Sequence, residues 1–126
     1  MKRLWIGLGV LAVLLAMGLW VSAAMEWTHA AMAQQLQQAS GAAMAEDWPA
    51  ALEAARQAHD SWKKQRHWIA AFADHTPMDE IEGLFAEMEV YARTGEKQHF
   101  AAICAHLAQL AEAMGESHAV SWWNLL

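Results

Sequence analysis

The sequence predicts an all-α protein in which an N-terminal transmembrane helix leads into an antiparallel bundle of three to four helices. Three observations carry this. From Leu4 to Met25 there are 22 consecutive residues without a charge, about 33 Å of helix and enough to cross a bilayer core of ~30 Å. Alternating runs of β-branched residues, the mark of strands, are absent, and Ala, Glu, Gln, Met and Leu dominate instead. Three later stretches repeat apolar residues at spacings of three and four, which line one face of a helix.

The apolar run, LWIGLGVLAVLLAMGLWVSAAM, is preceded by Lys2 and Arg3 and followed by Glu26. The positive-inside rule then places the N-terminus in the cytoplasm and the rest of the chain on the far side of the cell membrane. Trp5 and Trp20 fit the interfacial belts of such a span. The chain accordingly divides into residues 1–25, a membrane anchor or uncleaved signal sequence, and residues 26–126, an extracytoplasmic helical bundle. A cleaved signal peptide is the rival reading, because Val21-Ser22-Ala23 offers the small residues that signal peptidase accepts. Against it, the usual apolar core of ~7 to 15 residues is shorter than this run. No cysteine lies near the end of the run, so a lipid anchor is not indicated. Gly18 with Ser22, and Ala12 with Ala16, form small-xxx-small pairs able to seat a second membrane helix.

Each later element has its own start and stop signals. The first helix continues as EWTHAAMAQQLQQAS and is expected to stop near Ser40-Gly41, glycine being suited to end a helix. A second opens in EDWPAALEAARQAHDSWKKQRHWIAAFADH, where Asp47 can accept bonds from early amides and Pro49 occupies the first turn, in which its missing donor is not needed. In DHTPMDEIEGLF, Thr76 is the expected N-cap and Pro77 the first helical residue, while Asp79 favours the positive end of the helix dipole. Gly95 ends that third helix within RTGEK, and the fourth is expected to run to Met114 with Gly115 as its stop.

The stripes are Trp48, Leu52, Ala55, His59, Trp62, Arg66, Ile69 and Ala73 on the second helix, Met78, Ile81, Phe85, Met88 and Ala92 on the third, and Phe100, Ile103, Leu107, Leu110 and Met114 on the fourth. Helices joined by such short loops pack as antiparallel neighbours. Arg56 and Lys63 flank the first stripe, Glu82 and Glu89 the second. Facing each other, they select orientation more than they stabilise, since an exposed ion pair contributes only ~0.2 to 1 kcal/mol. In this arrangement the last helix returns toward the bilayer. Trp122, Trp123, Leu125 and Leu126 of the closing SWWNLL then seal the base of the bundle, or meet the membrane or a partner there.

Charge narrows the function. All 14 acids lie beyond residue 25, and removing Lys2 and Arg3 from the net charge of −6 leaves −8 on residues 26–126. That balance argues against nucleic acid or anionic lipid as the main ligand, because both demand basic patches. The single cysteine, Cys104, forms no intramolecular disulfide and is read as a small buried apolar residue. There is no phosphate loop, nucleophile elbow, Cys-x-x-Cys or His-Glu-x-x-His. His99 and His106 share a face but stand about 10.5 Å apart along the axis, too far to ligate one ion. No metal, cofactor or catalytic residue is therefore expected. His75 is read as bonding backbone in its turn, and Asp79 with Glu82 as a solvent-facing strip.

Trp48, His59, Trp62 and Arg66 are the candidate ligand site, because a titratable group and a fixed cation stand one heptad apart on an otherwise apolar stripe. In one reading the stem of Arg66 lies over apolar surface with its head in water or paired to a glutamate of the next helix, and His59 is bonded at an edge. In the other, the helices part into a Trp-lined pocket where Arg66 holds an anion, and Lys64, His67 and Trp68 add to its surface.

Behind the short anchor, DWPAALEAARQAHDSWKKQRHW, ADHTPMDEIE, RTGEKQHFAAICAHLAQL and SWWNLL together resemble a domain-of-unknown-function family of small single-pass helical proteins from Gram-positive, mostly endospore-forming bacteria. The resemblance spans nearly the whole chain. It implies an extracytoplasmic location and a small multipass membrane protein as partner, and supplies no catalytic residue. A likeness of DWPAALEAARQA to a tetratricopeptide helix fails, since no period of about 34 residues follows. The expected function is a non-catalytic, membrane-anchored accessory or interaction subunit of an integral membrane protein. The alternative is an extracytoplasmic ligand-sensing bundle with an anion site near Arg66, and an enzyme is a distant third. Self-association is left open.

Overall fold

Helix α1 (Lys2–Met44) is 43 residues long, about 64 Å at 1.5 Å per residue. After it come α2 (Trp48–Ile69), α3 (Thr76–Thr94) and α4 (Lys97–Trp123). This computed structural model describes residues 1–69 and 76–123, with side chains for all of these except Met25, Trp68, Ile69, Thr76, Pro77 and residues 116–123. Among the described residues there is no strand, and the all-helical expectation holds.

The ends of the helices follow the backbone angles more closely than the positions of glycine. Gly41 does not stop α1, contrary to the sequence expectation. The chain turns instead at Glu46, with φ +60°, while the amides of Ala45, Glu46 and Asp47 bond back to the carbonyls of Gly41, Ala43 and Ala42 at 3.1, 3.0 and 2.9 Å. Gly41 is left inside the last turn of α1, with open space where a Cβ would stand. Gly41→Ala is therefore expected to stabilise the domain by about 0.5–1 kcal/mol, seen as a melting point a few degrees higher for the full chain in detergent. Gly95 does end α3, at φ +70°, with the Glu96 amide returning to the Tyr91 carbonyl at 3.1 Å. Gly115 does not end α4, which continues to Trp123. No turn is needed there, and a Cβ on Gly115 would lie 3.6 Å from the His29 Cβ of α1. That is an ordinary van der Waals distance, so the contact does not require glycine.

Opposite ends of the numbering meet along α1 and α4. Lys97 Nζ reaches Glu46 Oε1 at 3.0 Å, Ser40 Oγ donates to the Ala101 carbonyl at 3.4 Å, and Gly115 lies beside His29. Ser61 Oγ donates to Gln35 Oε1 at 3.3 Å across α1 and α2. Helix α1 packs chiefly on α4 and α2, α3 on α4, and the seam between α2 and α3 is sparse.

The core takes Met32 and Leu36 from α1, Trp62 from α2, Ile81, Phe85 and Met88 from α3, and Phe100, Cys104 and Leu107 from α4. The stripe of α2 is rotated from the expected one: Ala51, Ala55, Ala58 and Trp62 are buried, whereas Leu52 is 46% exposed. Ala33, Ala39 and Ala43 of α1 and Ala108 and Ala111 of α4 supply the other alanines of the core. Small side chains let backbones approach closely, so alanine, not the bulkier residue, marks the inward face. Leu4 to Val21 remain outside this core, and no residue of the most apolar 18-residue stretch of α1 is buried. Among the described residues, the first buried one along the chain is His29.

Candidate functional site

Where α2 and α3 stand apart, a groove of about 340 Å³ opens between them. Leu52, Ala55, Arg56, His59 and Lys63 line it from α2, and Phe85, Met88, Glu89 and Ala92 from α3. Phe100 of α4 contributes as well. A polar clasp joins the two helices beside this groove. Glu82 Oε1 accepts a hydrogen bond from Trp62 Nε1 at 2.9 Å and another from Arg66 Nη1 at 2.6 Å. Burial pushes the Glu82 carboxyl up, but the bonds from Arg66 and Trp62 outweigh it and hold the group below the usual carboxylate range.

The expected site residues separate into two places. His59, Trp62 and Arg66 gather around the clasp, His59 stacking on Phe85 with ring centroids 4.6 Å apart. Trp48 is held elsewhere, edge-on to Phe100 at 5.5 Å. Trp62 is fully buried, so it is a core residue with one polar handle and does not line the groove between α2 and α3. The charge of Arg66 is already answered by Glu82. Trp122, Trp123, Leu125, Leu126 and His75 were also singled out, and the side chains of the first two and the whole of the other three lie outside the described residues.

Arg56 and Lys63 face Glu89 across the groove as expected, but the ion pairs do not form across it. Arg56 bonds Glu53 at 2.6 Å and Asp60 at 2.9 Å on its own helix, and Arg93 takes Glu89 within α3. Partners three or four residues away on one helix are in reach without any ordering between helices. Glu82 is the glutamate of the next helix that one sequence reading offered to Arg66; what sequence reasoning missed is its second donor, Trp62. The position of Glu82 beside the stripe was visible, but its two donors come from 16 and 20 residues away, a separation with no local signal.

His59 sits with Lys63 and Asp60 of α2 and with Glu82 and Glu89 of α3. Its Nε2 is shielded from water and unbonded. Burial, and then the Lys63 charge, push its pKa below the ordinary 6.5. The unfolded chain therefore takes up this proton first, and the stability it carries is present above about pH 6.5 and lost as pH falls through the lower folded value. The urea midpoint is expected to be lower at pH 5.5 than at pH 7, and the difference to shrink in His59→Phe, which keeps a stacking ring against Phe85.

Cys104 is buried against Met88, Sγ to Sδ 3.6 Å, and burial pushes its thiol up to about 12, which leaves it unreactive. Among the described residues no group of three or more His, Cys, Asp or Glu is placed to hold a metal.

These features define a class: an all-helical protein whose first helix is apolar and long enough to be a candidate membrane span, by length and composition. The chain belongs to the family described as Domain of unknown function (DUF4363), which matches residues 19–125. No curated protein and no solved structure matches it.

Proposed function

We propose that this protein is a membrane-anchored, non-catalytic helical domain that serves as an accessory subunit of an integral membrane protein. The observation behind this is the continuity of α1, whose first half has no protein cover while its second half lies in the core. An exposed apolar surface of that size needs lipid or another membrane helix around it. In this reading residues 1–25 are the retained anchor, and residues 26–126 form an antiparallel bundle outside the cell membrane. Lys2 and Arg3 inside, against −8 beyond them, favour that orientation. An unbroken helix fixes the domain rigidly relative to the bilayer, which suits a subunit that must present one face to a neighbour.

The test is affinity purification of the full chain from a Gram-positive host in mild detergent. A stoichiometric multipass membrane protein is the expected companion, and its loss on removing residues 118–126 would assign the tail as the contact. Recovery of the chain alone, at every detergent strength that keeps it folded, contradicts the proposal.

A second reading is favoured by the groove alone. Lys63 lines it and has no ion pair among the described residues, so a small anion with an apolar body would meet a free cation there. A rise in melting temperature with such a compound, lost in Lys63→Ala and kept in Arg66→Ala, supports ligand sensing at the groove. Loss in Arg66→Ala alone returns the site to Arg66.

A further inference from the structure

We propose that the membrane-facing end of α2 is a contact surface for anionic lipid headgroups, presented by Lys63, Lys64 and His67. This rests on the reading of α1 as a membrane span and adds to it a seat for the domain.

The vertical position of these residues follows from the helix register. The apolar run ends at Met25 and the first buried residue among those described is His29, so only about 6 Å of helix separates the span from the packed domain. Gln35 of α1 meets Ser61 of α2, and from that pair α2 runs back toward the bilayer. Both helices advance about 1.5 Å per residue, which puts Lys64 level with Met32 and His67 level with His29, roughly 6 to 11 Å above Met25. A headgroup layer is about 5–7 Å deep on each side of the hydrocarbon, and a lysine stem extends its ammonium several ångströms further.

Charge then selects the partner. Lys63, Lys64 and His67 are exposed, and no acid occurs between Ser61 and Ile69. The acids of α2, Glu53 and Asp60, lie further from the bilayer and are bonded to Arg56, so the outer face of α2 changes sign as it approaches the membrane. Elsewhere at this end Glu26 on α1, Asp79 and Glu80 on α3 and Glu112 on α4 are exposed acids. The basic surface is thus one-sided, and an anionic bilayer draws that side down while repelling the others, which sets the rotation of the domain about α1. Phosphate-bearing headgroups are the partner this geometry fits, since cations near a membrane surface gain most there.

Lysine occurs at only four positions, 2, 63, 64 and 97, so the full chain carrying 15N-lysine gives four backbone amide signals. In nanodiscs of phosphatidylcholine with roughly a third phosphatidylglycerol and a trace of gadolinium-chelating headgroup, Lys2 and Lys63 with Lys64 are expected to relax several-fold faster than distal Lys97. In parallel, the preference of the protein for spin-labelled phosphatidylglycerol over phosphatidylcholine is expected to fall about twofold in Lys63→Glu/Lys64→Glu. Lys63 and Lys64 relaxing no faster than Lys97, with Lys2 fast, overturns the proposal and leaves the span standing. Slow relaxation at Lys2 as well overturns both. An unchanged lipid preference in the charge-reversed variant means that nearness brings no headgroup contact, and the proposal fails.

Discussion

Trp62→Ala is expected to destabilise the helical domain by about 3–5 kcal/mol, lowering its melting temperature by roughly 15 °C or more for a domain of this size. Trp62 is completely buried and is the largest such side chain among the described residues. Its indole fills space that the alanines around it cannot, and its Nε1 is one of the two donors on Glu82. Removing it leaves a cavity and strips one bond from a partly buried carboxylate, so two penalties act together. Trp62→Phe keeps most of the volume and loses only the donor, and should cost about 1 kcal/mol. Leu52→Ala serves as the comparison, because Leu52 is also apolar but 46% exposed. Thermal melts of the three full-length variants in one detergent check the ranking. Equal losses in Trp62→Ala and Leu52→Ala would show that the inward face of α2 is wrongly assigned.

Leu11→Arg/Leu14→Arg is expected to abolish stable membrane association. Each arginine at the centre of a spanning helix costs about 2.5–3.5 kcal/mol, so the pair opposes insertion by about 5–7 kcal/mol. Both leucines lie in the exposed apolar half of α1 and touch nothing in the core, so the fold of residues 26–126 should survive. After alkaline carbonate extraction the wild-type chain should stay with the membranes and the variant should leave them. A variant that remains in the pellet at the wild-type level argues that something other than the bilayer covers this helix.

Much of this fold is legible in the sequence, for physical reasons that also explain where reading fails. Ile81, Phe85 and Met88, and Phe100, Ile103 and Leu107, are large residues at spacings of three and four, and all six are buried. Bulk and periodicity agree there. On α2 they disagree: Leu52, His59 and Arg66 follow the bulky pattern, whereas Ala51 and Ala58 are the buried positions. An alanine seam is nearly silent in hydrophobicity, yet it allows the closest helix contacts. The core role of α1 was hidden for the same reason, since Ala33, Ala39 and Ala43 resemble any alanine-rich helix. Gly41 and Gly115 carry the usual mark of a helix end but lie within helices, because glycine permits a left-handed turn without requiring one. Glu46 adopts that angle instead, with its carboxylate held by Lys97.

The candidate site was partly visible. His59 and Arg66 stood out as polar breaks in an apolar stripe, and both lie at the seam between α2 and α3. What spacing could not supply was the cross-helix geometry: Glu82 binding Trp62 and Arg66 together, Arg56 turning to its own helix, and Trp48 moving away to Phe100. Each depends on how far apart two helices stand, a quantity that no local pattern encodes.

Intact mass of the chain recovered from carbonate-washed host membranes tests the central claim most directly. A retained anchor gives the full 14.0 kDa in the membrane pellet. A shorter species beginning after the small residues Val21-Ser22-Ala23, released into the supernatant, would mean that the apolar segment is a removed signal and that the domain works free of the membrane.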